Sequence, residues 1–318
     1  MKELAYLDHN VVDFLYKNPN SSLEDWLKRD FQVFFSEENL AEIQRCGEKA
    51  NDYAMALERL NPMYLNMKRD KSSRAKDEAT LKAYPVSGLL RTRKKTVPRL
   101  DELKASFSQP LLKSLGGLKG KNYDKIHEEQ MNLYRQSGRV LGESIKQAKR
   151  RIEEYEKKLI RRKKQTDKTL QAFGEYDGVN TIRNTVGVTP RELNNIKPPN
   201  VILKIWEKVK SSDHIKKSNS SLENFFGIDK KSVNIKGNYP IHLKMSIMYM
   251  MLNAIGYKQD NEILDEKRFL ASVSDATHVG NAAFGSVFFT MDKNLCEKAV
   301  AVYEYFKIGP RIVHFKKR

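Results

Sequence analysis

Two cysteines, Cys46 and Cys296, are all that 318 residues contain. So few thiols exclude a disulfide framework and a zinc motif. Long apolar runs are missing as well. The most apolar stretch, Met245 to Ile255, falls well short of the ~20 residues that a bilayer-spanning helix needs, and it reads as a buried helix. Met1 to Tyr6 shows no charged segment leading into an apolar one, so no secretory signal is expected and the expected location is cytoplasmic. No internal repeat is visible. Acidic side chains are scarce beside basic ones, 40 against 58, which leaves a formal net charge of +18. A surplus of that size favours a polyanionic partner such as nucleic acid.

Forty per cent of the residues are hydrophobic, enough for most of the chain to fold. The charge is unevenly placed. Residues 1–50 hold 6 basic and 10 acidic side chains, and residues 260–300 hold 4 and 7. Both stretches are net acidic, so the cationic surplus is concentrated in residues 51–259 and in the last residues. An acidic centre that handles phosphate needs such help, or a metal, against repulsion.

The hydrophobic pattern predicts a strand over residues 4–7 ending at Asp8-His9-Asn10, then a helix from Val11 to Tyr16. Ser22 is the expected cap of a helix from Leu23 to Arg29. A second strand is expected over Phe31 to Phe35, with Ser36 capping a helix that runs to about Leu60. At the other end, helices are predicted at Val201–Val209, Tyr239–Ile255 and Phe269–Phe284. A strand over Ser286–Phe289 leads to Thr290-Met291-Asp292, followed by a helix from Leu295 to Tyr305 and a strand from Arg311 to Phe315. The alternation at both ends predicts an α/β fold, a parallel sheet with helices on both faces.

The middle adds almost no strand signal. Residues 66–125 read as short helices joined by loops, 174–200 as a connector, and Ser211–Ser221 as an exposed loop. From Lys125 to Phe173 a long helix is expected. Its positions Leu141, Ile145, Ala148, Ile152, Tyr155 and Leu159 form a coiled-coil seam, either a hairpin within the chain or an interface with a second copy or a partner protein. The other faces are basic, and Lys149, Arg150, Arg151, Arg161, Arg162, Lys163 and Lys164 are the candidate nucleic-acid contacts. The division expected is 1–60 and 240–318 for the sheet domain, interrupted by a mostly helical, coiled-coil-containing insertion over 61–239.

In open α/β sheets functional groups collect at the carboxyl ends of the strands. Asp8 follows the first strand and Asp292 follows the strand at 286–289. Glu42 and Asp275 sit on neighbouring helices. Four carboxylates at one sheet edge repel one another unless a cation lies among them, and oxygen ligands suit Mg²⁺ or Mn²⁺. Each has a structural alternative, a turn-forming Asp or a Glu serving the helix dipole.

Tyr6-Leu7-Asp8-His9-Asn10 resembles the opening motif of PIN-domain nucleases, an apolar strand ending in Asp-x-Asn. Ser36 to Ile43 resembles the family's second block, whose Glu here is Glu42. Ser274-Asp275-Ala276-Thr277-His278 with Asn281-Ala282-Ala283 resembles the third, and Phe288-Phe289-Thr290-Met291-Asp292 the fourth. The blocks occur in the family's order over 1–60 and 240–318, and nothing in 61–239 matches.

The resemblance implies a PIN-like fold, Mg²⁺ or Mn²⁺ held by Asp8, Glu42, Asp275 and Asp292, and hydrolysis of phosphodiesters, in RNA more often than in DNA. Asn10 and Thr290 are then candidates for hydrogen bonds that fix these carboxylates. His278, one turn after Asp275, is read as a packing or capping histidine, with a phosphate contact as the alternative. His9 is set aside, because a continuing strand would point it away from Asp8. Two other readings stand beside the nuclease. One is an inactive nucleic-acid-binding chain of the same fold. The other is a toxin- or defence-type subunit that binds a partner through its basic helix. A phosphatase with an Asp nucleophile is disfavoured, because Asn10 occupies the place of its second Asp. A membrane is not among the expected partners.

Overall fold

The computed structural model describes residues 2–69, 75–96, 106, 108–140, 157, 178–231 and 239–316. At its centre is a six-stranded sheet. The strands are β1 (Glu3–Leu7), β2 (Phe31–Phe35), β3 (Met63–Arg69), β4 (Ala75–Lys82), β5 (Val287–Thr290) and β6 (Arg311–His314), in the spatial order β4-β3-β2-β1-β5-β6. Every pairing is parallel except β3 with β4. The expected α/β class with a mostly parallel sheet is therefore present.

The registers explain which sequence features became strands. Tyr6 pairs with Phe34 on one side and Phe288 on the other. All three are fully or almost fully buried and their rings meet, Tyr6–Phe34 at 5.1 Å and Tyr6–Phe288 at 5.9 Å between centroids. The alternate residues Ala5, Leu7, Val33, Phe35, Val287 and Phe289 turn to the opposite face. There they pack with Val11, Val12 and Leu15 of α1 (His9–Lys17), Leu27 of α2 (Ser22–Asp30), Leu40 and Ile43 of α3 (Glu37–Arg45), and Tyr53, Ala54 and Leu57 of α4 (Ala50–Glu58). Strands buried on both faces give the continuous apolar runs seen in the sequence.

The Tyr6 face is met by the Glu266–Ala282 helix through His278. That helix approaches the Ile241–Ile255 helix closely at Gly280. A Cβ there would lie 2.6 Å from the carbonyl oxygen of His242, so no larger residue fits without a shift of backbone.

Several local expectations are corrected. The helix expected from Ser36 to Leu60 is broken into α3, a single 3₁₀ turn at Gly47–Lys49, and α4. Gly47 sits at φ +63, which L side chains adopt only with strain. The cap of α2 is Ser21, one residue earlier than expected, accepting from the Glu24 N–H. Residues 66–125 were expected to lack strands, yet β3 and β4 form an antiparallel hairpin. Only Leu65 of β3 is buried, and the described side chains of β4 are exposed or half-buried. A charged edge hairpin carries no apolar alternation to read.

The connector and the serine-rich loop also hold helices, Gly178–Val186, Pro190–Asn194 and Asp213–Ser218, the last two capped by Thr189 and Ser212. Of the long basic helix, Tyr123–Val140 is helical. The Leu141–Leu159 seam and Lys149 to Lys164 lie outside the described residues. No helix among the described residues is long and apolar enough to cross a membrane.

By internal packing the chain divides into two units. One comprises Met1–Arg91, Thr185–Asp260 and Ala271–Arg318, and holds the sheet. The other comprises Thr92–Asn184 and Asn261–Leu270. Residues 61–239 thus contribute to both.

Candidate active site at the carboxyl edge of the sheet

The chain order runs outward from β1 through β2, β3 and β4, then returns to the other side of β1 as β5. The strand order therefore reverses between β1 and β5, and crevices outside the carboxyl ends of strands at such a reversal are where open α/β sheets bind ligands. Asp8 follows β1 and Asp292 follows β5, so the register of the central pair places both at that point.

Asp8 is 2% exposed, and its carboxylate Oδ2 accepts from Thr290 Oγ1 at 2.9 Å and Asn10 Nδ2 at 3.2 Å. Burial pushes its pKa up. His278 acts against that and Glu42 adds to it, and the outcome stays above the ordinary aspartate range. Asp275, on the Glu266–Ala282 helix, is raised further. Burial is the largest cause, then the charges of Asp8 and Asp260, with His278 and Lys298 opposing. Asp275 has no hydrogen bond or ion pair with a described residue. The charges of His278 and Lys298 do not offset burial and the neighbouring carboxylates, so both acids stay above their ordinary range.

Glu42 is differently placed. Its Oε2 receives His278 Nε2 at 2.6 Å and its Oε1 receives Ser274 Oγ at 2.9 Å. Burial alone would push its pKa up, but the charge and hydrogen bond of His278, with His9 and Ser274, bring it down to about 2. Burial opposes a charge on His278 too. Glu42, Tyr6 and Asp8 outweigh it and hold the imidazole well above its ordinary value. A doubly protonated ring orders the whole network. Nε2–H donates to Glu42 and Nδ1–H to Tyr6 Oη at 2.8 Å, which leaves the Tyr6 hydroxyl to donate to Ser36 Oγ at 2.7 Å. Ser36 also receives Asn281 Nδ2 at 3.0 Å. Its backbone N–H donates to Asn39 Oδ1, and Asn39 Nδ2 donates to the Leu7 carbonyl, tying the start of α3 to the end of β1.

Asp292 caps the Lys293–Phe306 helix, accepting from the Leu295 N–H at 2.8 Å. His278 is fully buried in the network just described, so it does not face solvent. Asn10 and Thr290 both donate to Asp8. No group of three His, Cys, Asp or Glu side chains stands at metal-ligand spacing among the described residues.

Residues that the sequence did not point to also gather here. His9 begins α1 because β1 stops at Leu7, so strand alternation does not govern it, and its Nδ1 lies 3.9 Å from Glu42 Oε2. Arg45, half-exposed, lies 3.2 Å from Ser274 Oγ and 3.7 Å from Glu42 Oε1. Lys298 Nζ pairs with Asp260 Oδ1 at 2.6 Å, and Asp260 Oδ2 accepts from Asn253 Nδ2 and Ser272 Oγ. Only the helical spacing of Leu295 and Lys298 marks Lys298 in the sequence, and that spacing reads as a core position.

Comparison with protein-family models, with curated proteins and with solved structures found no match.

Proposed function

We propose that this chain is a metal-dependent nuclease, with RNA the favoured substrate. The observation that carries the reading is the pair Asp8 and Asp275 at the reversal of strand order. Asp8 is buried and Asp275 half-buried, the charge of Asp8 pushes the Asp275 pKa up, and Asp275 has no hydrogen-bond or ion-pair partner among the described residues. A divalent cation supplies what they lack. Mg²⁺ fits such a place, because it keeps several waters and takes only one or two protein carboxylates, so a preformed cage of three ligands is not required. Asp8 and Asp275 would hold it, with Asp292 beside them. When bound, the cation supplies charge neutralisation for the scissile phosphate and activation of the attacking water. The chain's own part is orientation: Thr290 and Asn10 fix Asp8, while His278 holds Glu42 and keeps that carboxylate ionised near the centre.

A second reading has one observation in its favour. Glu42 is engaged by His278 and Ser274, as it would be in a chain that kept the fold and binds nucleic acid or a partner without cleaving it. One assay separates the two. The wild type and Asp8→Asn are incubated with RNA and DNA oligonucleotides in Mn²⁺, in Mg²⁺ and in EDTA. Cleavage is expected for the wild type with metal and for no other combination. A wild type that binds RNA but leaves it intact in both metals favours the second reading.

A further inference from the structure

The acidic centre holds a cation of its own. Lys298 lies in the second turn of the Lys293–Phe306 helix and is 0% exposed. Its Nζ sits 2.6 Å from Asp260 Oδ1, 3.1 Å from Asn253 Oδ1 and 4.3 Å from the centroid of the Tyr249 ring. It also interacts electrostatically with Asp275 and Asp292. These contacts tie the Lys293–Phe306 helix to Asp260 and to the Ile241–Ile255 helix. Burying an ammonium costs several kcal/mol before its pairing is counted. An apolar residue would fill the same place. What an ammonium adds is a fixed positive charge against Asp260, Asp275 and Asp292.

Tyr249 is an independent sign that something else belongs there. It is fully buried, and its hydroxyl has no hydrogen-bond partner among the described residues. That hydroxyl lies in the field of Asp275, Asp260, Asp292 and Asp8. A buried phenol without a partner costs about 1–3 kcal/mol, a cost that an acceptor oxygen brought by a ligand would remove.

Asp260 is satisfied by Lys298, Asn253 and Ser272, and Glu42 by His278 and Ser274. Asp8 accepts from Thr290 and Asn10 and Asp292 from the Leu295 N–H, none of them a cation, and Asp275 has no hydrogen bond or ion pair among the described residues. Two-metal centres set their ions about 3.5–4 Å apart, bridged and flanked by carboxylates. Here the ammonium of Lys298, paired with Asp260, also acts electrostatically on Asp275 and Asp292.

We infer that Lys298 stands in place of a second metal, so that the centre takes one divalent ion, and that the Tyr249 hydroxyl donates to an oxygen bound to that ion. This inference rests on the metal-dependent reading above, and it names the stoichiometry of that site. Lys298 is a positioning residue in this account, since it is too deeply buried to touch a substrate.

The test counts Mn²⁺ rather than turnover. The whole chain, free of nucleic acid, is titrated with Mn²⁺, and unbound ion is read by electron paramagnetic resonance. One Mn²⁺ per chain is expected for the wild type. Lys298→Gln keeps donors for Asp260 but loses the charge, so it should take a second Mn²⁺ or bind the first at least roughly tenfold more tightly. Tyr249→Phe should keep the number and weaken the affinity several-fold. Circular dichroism confirms that each variant is folded. If Lys298→Gln unfolds, the wild-type number and Tyr249→Phe decide alone. Two Mn²⁺ on a wild type that cleaves RNA overturns the inference and leaves the nuclease reading standing. Wild-type number and affinity in a folded Lys298→Gln overturns it too. No Mn²⁺ and no cleavage removes the nuclease reading and this inference together.

Discussion

His278 holds Glu42 across the site: its Nε2 lies 2.6 Å from Glu42 Oε2, with the ring fully buried and its other nitrogen 2.8 Å from Tyr6 Oη. The contact joins the Glu266–Ala282 helix to α3 and, through Tyr6, to the central strand. It also sets the electrostatics of the edge, because an ionised Glu42 raises the pKa of Asp8 while the imidazolium lowers it.

Removing one member of this pair should be expensive. His278→Ala leaves Glu42 charged and nearly buried, and breaking a buried pair costs about 3–5 kcal/mol. The pH dependence follows from the two shifts. Glu42 is depressed to about 2 from an ordinary 4.5, so its contribution is present above 4.5 and is lost as pH falls through about 2. His278 is raised above its ordinary 6.5, so its contribution is complete below 6.5 and is lost as pH rises through the folded value. Urea melts from pH 2 to 8 should show Glu42→Gln flattening the acid limb of the stability curve. A loss under about 1 kcal/mol in His278→Ala would mean that the pair contributes little to stability.

Asp275→Asn should have the opposite effect on stability. A carboxyl whose folded pKa is raised favours the folded state below its ordinary 3.8 and loses that advantage as pH rises through the folded value. At pH 7 in EDTA the charged form is a burden, and the amide relieves it. The melting temperature should rise by a few degrees, about what 1 kcal/mol produces in a domain of 150–250 residues. Added Mg²⁺ should raise the wild type, by RT ln(1 + [L]/Kd), and leave Asp275→Asn where it was. A variant that melts earlier than the wild type in EDTA would make Asp275 a structural residue.

What the sequence made legible at this site follows from burial. β1, β2 and β5 are covered on both faces, so Ala5-Tyr6-Leu7 and Val287-Phe288-Phe289 stand out as apolar runs, and the acids after them stand out by contrast. Ser36 and its first-turn acids are local signals of a helix start, and α3 begins there. Three things had no such signal. The β3–β4 hairpin lies at the sheet edge, where polar side chains are tolerated and no alternation is needed. Lys298 and Asp260 are 38 residues apart, and only the tertiary fold brings them together. His9 points away from Asp8 only if β1 continues, and the chain turns into α1 at that residue.

The basic stretch offers a prediction that needs no structural detail. Arg150, Arg151, Arg161 and Arg162 lie outside the described residues, but their charge is a property of the sequence. If they neutralise phosphates, replacing all four by Gln should flatten the plot of log K against log salt for a single-stranded RNA. The slope should drop by about 0.7 for each phosphate that is no longer neutralised. Fluorescence anisotropy between 50 and 300 mM salt provides the measurement. An unchanged slope with an unchanged affinity would place the RNA-binding groups elsewhere and free these arginines for a protein partner.

Glu24 supplies a control remote in chemistry from the acidic edge. Its side chain is fully buried, with Lys28 Nζ at 2.7 Å and Arg59 Nε at 3.0 Å from Oε1, and Arg59 Nη2 and the Asn20 N–H each at 3.1 Å from Oε2. Arg59 Nη2 also reaches the Leu15 carbonyl at 2.8 Å, so this one guanidinium bridges α1, α2 and the end of α4. Burial pushes the Glu24 pKa up, yet the hydrogen bonds from Arg59, Lys28 and Asn20 bring it down to about 2. Its contribution is therefore present above the ordinary 4.5 and is lost as pH falls through about 2. Arg59→Met leaves a buried carboxylate with Lys28 as its remaining cation, and should cost about 3 kcal/mol at pH 7. It should also move acid unfolding to higher pH, because Glu24 then protonates more readily. Adding Glu24→Leu to Arg59→Met should recover most of the loss, since a neutral, apolar pair of similar volume is often as stable as the ion pair it replaces. Cleavage of RNA by Arg59→Met, assayed below its melting temperature, should match the wild type, because neither Glu24 nor Arg59 touches the carboxylates at Asp8 and Asp275. Guanidinium melts at pH 7 and pH 3 on the wild type and the two variants decide the first part. If the double variant is no more stable than Arg59→Met, the packing of the Arg59 stem, and not the charge of Glu24, holds these helices together.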